Sequence, residues 1–125
     1  MLVTEQEIHE IRNFVLQLNS MKESVVAVEG KKDASALKKL GFSGRIIEFH
    51  RFGGMVNFAD HVARYEKLII LFDRDKKGRY LTGKTIQLLQ RRTKIDLSFK
   101  RKLAIITKGK IRFMEQLVCY ESYLV

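Results

Sequence analysis

Residues 68–79 read Leu-Ile-Ile-Leu-Phe-Asp-Arg-Asp-Lys-Lys-Gly-Arg, an uninterrupted apolar run that ends in two aspartates, a glycine and basic residues. A short apolar run with β-branched side chains is typical of a strand buried on both faces of a parallel sheet. Open α/β sheets bind their ligands beyond the carboxyl ends of such strands. Asp73 and Asp75 therefore stand where a ligand is expected. Two carboxylates among lysines and arginines indicate a divalent cation and a phosphate-bearing substrate.

Apolar segments alternate with helical patterns along the chain. Thr4 and Glu7 form a capping box that begins the first helical pattern, over residues 5–20. Strands are predicted at residues 25–28, 45–49, 68–72 and 103–106, and further helices at 33–40, 55–65, from Thr82 onward and 112–123. The class is therefore α/β, with a roughly four-stranded parallel sheet flanked by helices. We expect residues 1–23 to supply an extra N-terminal helix packed on the domain, and residues 24–125 to form the domain with its C-terminal helix.

The same patterns predict local details of the helices. Asp33 should cap the start of the 33–40 helix, and Gly41 should end it. Residues 78–83, between two glycines, should form the loosest loop. The side chains expected to face the sheet from the third and fourth helices are Val56, Ala59, Val62, Ile86, Leu88 and Leu89.

The composition of the chain indicates which classes of binding partner to expect. The chain has 125 residues, of which 46% are apolar, and a net charge of +10 that favours an anionic partner such as nucleic acid. Residues 74–112 hold 14 of the 24 lysines and arginines but only two acids. The single cysteine, Cys119, is consistent with a reducing compartment, so we expect a cytoplasmic protein. No apolar run approaches membrane-spanning length, and no membrane partner is expected.

A third acid, Glu29, follows the first predicted strand. If the first and third strands are neighbours, Glu29 meets Asp73 and Asp75 at one edge of the sheet. The two aspartates would then share a Mg²⁺ ion, with Mn²⁺ as the alternative, because Mg²⁺ commonly takes one or two protein carboxylates. Crowding beside two carboxylates should raise the pKa of Glu29, which suits a group that transfers protons at a reacting phosphate. Glu29 as a further metal ligand fits the sequence equally well.

Residues suited to phosphate binding surround the same edge. Glycines let backbone N–H groups approach a phosphate, and helix N-termini add a positive dipole end. Lysines and arginines would hold the phosphodiester backbone rather than read bases, although solvated charge explains the lysine pairs equally well. Lys108 is included because it follows the predicted strand 103–106. The candidates are Gly30, Lys31, Lys32, Gly53, Gly54, Lys76, Lys77, Gly78, Arg79 and Lys108.

Two segments together resemble a known family. Val-Val-Ala-Val-Glu-Gly-Lys-Lys-Asp, at residues 25–33, and Leu-Phe-Asp-Arg-Asp-Lys-Lys-Gly, at residues 71–78, are similar in order and spacing to the motifs of the Toprim domain. This domain is the metal-binding module of topoisomerases, primases and several nucleases. The resemblance covers roughly residues 24–108 and implies a Rossmann-like fold. It also implies that Glu29 is the general acid/base and that Asp73 and Asp75 bind Mg²⁺.

The resemblance also narrows the kind of Toprim protein. Gly53, Gly54 and Asn57 resemble part of the Gly-Ser-Ala-x-Asn loop of Toprim ribonucleases that mature ribosomal RNA, although the serine is absent. The tyrosine-bearing partner domain of topoisomerases and the zinc-binding region of primases have no counterpart in this sequence. We therefore expect a small stand-alone Toprim protein of the kind found in archaea and bacteria.

The expected function is Mg²⁺-dependent cleavage of a phosphodiester bond in RNA or DNA. The alternative is a module that grips nucleic acid through the same site without cutting it, as a subunit of an RNA-processing or DNA-handling complex. A protein partner that supplies further substrate contacts would suit the small size of the chain. A phosphate-accepting receiver domain would instead need an acidic pair after its first strand, where only Glu29 stands.

Overall fold

The computed structural model describes residues 3–124. We number the α-helices and β-strands in chain order and name the two 3₁₀ helices separately. The elements are α1 (Glu5–Asn19), β1 (Ser24–Val28), α2 (Lys31–Lys39), β2 (Ile46–Glu48), a 3₁₀ turn (Phe49–Arg51), α3 (Met55–Val62), β3 (Lys67–Ile70), α4 (Lys76–Leu89), β4 (Lys94–Asp96), α5 (Ser98–Ile106) and a C-terminal 3₁₀ helix (Met114–Tyr123).

The four strands form one sheet in the order β2-β1-β3-β4, and each neighbouring pair is parallel. The expected α/β fold, with a four-stranded parallel sheet flanked by helices, is confirmed. β1 and β3 lie side by side at the centre, with Ala27 opposite Ile70. Because the strands are parallel, all four end at the same edge, which we call the carboxyl edge.

The central strands divide their side chains between two cores, as the twofold repeat of a strand requires. Val26, Val28 and Ile69 belong to a core shared with α1, α2, α5 and the C-terminal 3₁₀ helix. Val25 and Ala27 belong to the opposite core, which α3 and α4 complete. Both faces of the sheet are therefore covered, which explains why β1 and β3 are apolar after their first residues, Ser24 and Lys67.

The N-terminal helix packs on the first of these cores. Thr4 caps α1 by accepting a hydrogen bond from the N–H of Glu7 at 3.1 Å. The other half of the predicted capping box is absent, because the Glu7 carboxylate bonds Lys110 and Tyr120 rather than the Thr4 N–H. Glu7 is itself buried, accepts hydrogen bonds from Lys110 Nζ at 2.8 and 3.0 Å, and accepts another from the Tyr120 hydroxyl. These contacts join α1 to the C-terminal 3₁₀ helix. The side chains of α1 in the core are Ile11, Phe14, Val15 and Leu18.

The fourth strand was predicted at the wrong place. Residues 103–106 belong to α5, where Leu103 is buried and Ile105 is 75% exposed. A run of four apolar residues fits a helical turn as well as a strand, so the pattern was ambiguous. The actual strand, β4, is a short edge strand of mixed polarity that lacks an apolar run. Lys108 consequently follows a helix, and the reason for placing it at the carboxyl edge was wrong.

The start of the helix after β3 was also predicted wrongly. It begins at Lys76 rather than Thr82, because the Asp75 side chain caps it by accepting the Gly78 N–H at 2.8 Å. The stretch from Gly78 to Gly83 is therefore helical and not a loop. A glycine-rich composition suggested a turn, but the N-cap and tertiary packing override that preference.

Smaller departures concern helix bounds and inward faces. α2 begins at Lys31, and Asp33 reaches back to accept the N–H of Gly30 at 3.0 Å. Val56 is 65% exposed, and Phe58 takes the inward position in its place. Leu88 is also exposed, whereas Leu89 is fully buried. The last helical segment begins at Met114 and is a 3₁₀ helix.

Candidate metal centre

Three acids meet at the carboxyl edge. Glu29 directly follows β1, and Asp73 and Asp75 follow β3, its neighbour in the sheet. One carboxylate oxygen from each of the three lies within 4.8 Å of the other two. The expected convergence of these acids is therefore present in the structure. We call Glu29, Asp73 and Asp75 the acidic triad.

Backbone N–H groups hold each member of the triad in place. Glu29 Oε2 accepts the N–H of Asp73 at 2.8 Å, which ties the ends of β1 and β3 together. Asp73 Oδ1 accepts the N–H of Met114 at 2.7 Å, and Asp75 Oδ1 accepts the N–H of Gly78 at 2.8 Å. Each of these bonds uses one oxygen, so every carboxylate has a second oxygen that can serve a ligand.

The triad is electrostatically strained without a cation. Burial raises the pKa of Glu29 above its ordinary value, and the charges of Asp73 and Asp75 raise it further, against the hydrogen bond from the Asp73 N–H. Burial also raises the pKa of Asp73, with an added contribution from Asp75. The pKa of nearby Asp33 is raised by burial and then by Asp73. A divalent cation bound between the carboxylates would offset their repulsion, as a proton on one of them does in its absence.

The donor set fits Mg²⁺. Oxygen ligands on opposite sides of an octahedral Mg²⁺, each about 2.1 Å from the ion, lie about 4.2 Å apart. The triad spacing of up to 4.8 Å therefore accepts such an ion after a small closure or through a bridging water. Mn²⁺ suits the same carboxylate oxygens.

Gly78 is required by a close backbone approach. A Cβ at this position would lie 1.9 Å from the carbonyl oxygen of Asp73. The N-terminal turn of α4 can therefore fold against the end of β3 only without a side chain. Its N–H is already bonded to Asp75, so the residue serves to assemble the triad.

The other predicted glycines lie at helix starts along the same edge. Gly30 precedes α2, and a Cβ there would lie 3.1 Å from His50 Nδ1. Gly54 precedes α3 with a φ of +116°, a conformation that favours glycine. No hydrogen bond among residues 3–124 joins Gly53 or Gly54 to the triad.

The predicted basic residues are exposed and concentrated at two helix starts. Lys31 and Lys32 open α2, and Lys76 and Lys77 open α4. Lys77 Nζ lies 3.3 Å from His50 Nε2, and its charge acts on Glu29. We call the exposed residues at these two helix starts the basic rim, which comprises Lys31, Lys32, Lys76, Lys77 and Arg79.

Arg74 does not neutralise the aspartates on either side of it. Its N–H donates to the carbonyl of Arg112 at 2.8 Å, and its guanidinium lies near Gly109. Among residues 3–124, Arg74 makes no ion pair with Asp73 or Asp75. Its charge acts instead on Lys100, whose pKa is lowered by burial and lowered further by this charge.

Sequence reasoning missed the Met114 N–H that bonds Asp73 and a lysine beside the triad. Lys100, in the first turn of α5, places its Nζ 3.4 Å from the carbonyl oxygen of Asp73. Burial lowers the pKa of this lysine, while the charges of Glu29 and Asp73 act in the opposite direction. A correct placement of β4 would have revealed it, because Lys100 follows that strand by four positions.

Comparison with known proteins identifies a solved structure with a similar fold and then the family of the chain. The fold resembles a solved structure of a putative protein from Aquifex aeolicus, with a TM-score of 0.69, 26% identity and coverage of 83% of this chain and 94% of that one. A UPF0292 protein of Methanosarcina acetivorans is 31% identical, with 98% of this chain and 87% of the relative covered. A UPF0292 protein of Thermococcus sibiricus is 35% identical, with 96% and 87% covered. The chain belongs to the UPF0292 family.

Membership of this family does not by itself assign a function. The names of the relatives state no activity, and no family model matches the chain. No helix in residues 3–124 is long and apolar enough to cross a membrane.

Proposed function

We propose that this protein cleaves phosphodiester bonds in nucleic acid with the help of Mg²⁺ bound at the acidic triad. The observation that supports this proposal is the convergence of Glu29, Asp73 and Asp75 from two neighbouring strands. Burying carboxylates against each other costs free energy, which a functional cation would offset. Surface acids that merely keep a protein dissolved have no need of such an arrangement.

Asp73 and Asp75 are the proposed ligands, since each is oriented by a backbone N–H and has an oxygen to spare. When bound, Mg²⁺ would polarise a phosphoryl oxygen and offset the negative charge that develops there. Glu29 is the proposed proton carrier because its carboxylate lies within 4.8 Å of both proposed ligands, and burial, which a bound cation leaves in place, raises its pKa. Glu29 as a third ligand remains the alternative role.

The reaction is a hydrolysis. The oxygen of a water molecule forms a bond to phosphorus, and the bond from phosphorus to one ester oxygen breaks. Glu29 accepts the proton of the attacking water or delivers one to the departing oxygen, so the products are a phosphate monoester and an alcohol. The basic rim holds phosphates on either side of the scissile one.

Two features of the chain support nucleic acid as the substrate. The net charge of +10 favours a polyanion, and the lysines at the starts of α2 and α4 combine with positive helix ends. The order of the Glu-Gly and Asp-x-Asp motifs also resembles that of Toprim enzymes, which act on nucleic acids. With a single cysteine and this class of substrate, we infer a cytoplasmic location.

A module that binds nucleic acid without cutting it is the second candidate. It is favoured by the exposure of every residue in the basic rim, because exposed lysines bind phosphate without promoting chemistry. Such a module would act with a protein partner that completes the substrate site.

One assay separates the two candidates. Purified protein is incubated with labelled structured RNA and with DNA, in Mg²⁺ or in chelator, beside the Glu29→Gln and Asp73→Asn variants. The proposal predicts cleavage products only with Mg²⁺, and a loss of at least about 10³-fold in rate for Asp73→Asn. Asp60→Asn, an exposed acid paired with Arg92, is the matched control and should cleave normally. Salt-sensitive binding without products would select the second candidate.

A further inference from the structure

Lys100 is a half-buried cation at the carboxyl edge. It lies in the first turn of α5, just beyond the end of β4. Its Nζ has two neutral acceptors, the carbonyl oxygen of Asp73 and Oγ1 of Thr82, both at 3.4 Å. Within residues 3–124 it forms no ion pair. This half-buried ammonium group therefore has two long contacts to uncharged oxygens.

Such an ammonium group would be stabilised by a bound anion. It has three donors, and burying a charge is costly unless the charge is paired and hydrogen-bonded. The charges of Glu29 and Asp73 act on Lys100 without direct contact with it. Once those carboxylates serve a divalent cation, they no longer compensate the lysine. The group that then arrives at the same edge with a negative charge is the substrate phosphate.

We propose that Lys100 is a catalytic residue that donates a hydrogen bond to a non-bridging oxygen of the phosphate undergoing cleavage. This proposal rests on the proposed function of the triad. Negative charge grows on the non-bridging oxygens in the transition state, and a fixed cation in a partly dehydrated site stabilises it more than a solvated one does. The carbonyl of Asp73 and the hydroxyl of Thr82 hold the ammonium group in position.

The chain offers a matched control on the same helix. Lys102 is two positions further along α5, is exposed, and donates to Oε1 of Gln17 at 3.1 Å, away from the triad. Lys100→Gln and Lys102→Gln remove the same charge from the same helix. Lys100→Arg retains the charge at the triad.

The experiment measures three quantities for the wild type and these three variants. The first is the affinity of the free protein for Mg²⁺, by calorimetric titration. The second is the affinity for a labelled oligonucleotide in Mg²⁺ at early times, and the third is kcat for its cleavage. Removing a transition-state donor lowers kcat by about 10²–10³-fold. We expect Lys100→Gln to show that loss of kcat. Lys100→Arg should have a kcat at least about tenfold higher than that of Lys100→Gln, and the kcat of Lys102→Gln should lie within about threefold of the wild-type value.

Mg²⁺ affinity separates a catalytic role from a structural one. Removing a cation beside the carboxylates should leave Mg²⁺ binding unchanged or tighten it. If Lys100→Gln weakens Mg²⁺ binding as much as it slows cleavage, Lys100 only supports Asp73 and the proposal is wrong. An unchanged kcat would also overturn it.

A failure of the proposed function gives a different pattern. If the wild type binds Mg²⁺ and the oligonucleotide but yields no products, cleavage is refuted, and oligonucleotide affinity decides the role of Lys100. If Lys100 contacts a phosphate, Lys100→Gln should weaken oligonucleotide binding at least about tenfold, and Lys102→Gln should weaken it less than about threefold. Equal losses in the two variants, or no binding by the wild type, would overturn the contact.

Discussion

The acidic triad and the basic rim share one edge of the sheet but are held in different ways. Glu29 is buried, Asp73 and Asp75 are partly buried, and each accepts a hydrogen bond from a backbone N–H. The lysines and arginine of the rim are exposed, and their charges are solvated. The triad is thus assembled by the fold at an electrostatic cost, whereas the rim needs only helices that begin at the right edge.

This difference implies different roles for the acidic triad and the basic rim. Charges fixed in a partly dehydrated site interact strongly and discriminate by geometry. Solvated lysines attract a polyanion from a distance, and that attraction falls with salt. The triad should therefore be sensitive to small structural changes, while the rim should respond to charge number and ionic strength.

The largest expected effect concerns two glycines of the same helix. Gly78→Ala would place a Cβ 1.9 Å from the Asp73 carbonyl oxygen, whereas a Cβ at the exposed Gly83 meets nothing within 4 Å. We expect Gly78→Ala to lower the free energy of unfolding by about 3 kcal/mol, the upper end for overpacking. Gly83→Ala should raise it by about 0.5–1 kcal/mol, because alanine is the better helix former. Urea denaturation measures both. Equal effects would mean that α4 does not close on β3 as described.

A smaller effect is expected from the rim. The double variant Lys76→Gln/Lys77→Gln should weaken binding of a single-stranded oligonucleotide and reduce the slope of log affinity against log salt by about 1.4, the value for two lost phosphate contacts. Lys38→Gln/Lys39→Gln removes the same charge from the far end of α2 and should alter the slope by less than half as much. Fluorescence anisotropy over a salt series gives the slopes. Identical slopes for the two variants would show that the rim attracts only through net charge.

A third prediction compares the pH dependence of stability in the wild type and in Glu29→Gln, measured without metal. The pKa of Glu29 is raised in the folded state, so the folded protein binds the proton more tightly than the unfolded chain does. This group therefore stabilises the fold most at low pH, and its contribution is lost as pH rises from the unfolded pKa through the raised folded pKa. Glu29→Gln should flatten that decline and become the more stable protein at neutral pH in chelator.

Chemical denaturation of the wild type and Glu29→Gln between pH 4 and 8 measures this contrast, with the exposed Glu5→Gln as the control for charge. The stability difference between Glu29→Gln and the wild type should increase with pH. A difference that grows toward low pH would contradict a raised pKa.

The two central strands and the acids that follow them were well predicted because their signals are local and strong. Val25 to Val28 and Leu68 to Phe72 are continuous apolar runs, which identify central strands of a parallel sheet. The residues directly after them, Glu29 and Asp73, could then be placed at one edge by the geometry of the sheet alone. That step required β1 and β3 to be neighbours, as they are.

The segments after Asp75 were poorly predicted because tertiary contacts determine their structure. β4 is an edge strand without an apolar run, and residues 103–106 fit a helix as well as a strand. The N-terminal turn of α4 depends on the approach of Gly78 to the carbonyl of Asp73, which composition does not reveal. The contact from Met114 to Asp73 spans 41 positions in the chain, so no local pattern indicates it. Lys100 was missed because it follows β4, the strand that was predicted at the wrong place.

The most direct test of the proposed metal centre is the binding of Mg²⁺ to the free protein, measured by calorimetric titration in the wild type, Asp73→Asn and Asp60→Asn. We predict one ion per chain in the wild type and in Asp60→Asn, and at least about tenfold weaker binding in Asp73→Asn, which loses a charged ligand. A wild type that binds no Mg²⁺, or an Asp73→Asn variant that binds it as tightly as the wild type does, would contradict the assignment of Glu29, Asp73 and Asp75 as a metal centre.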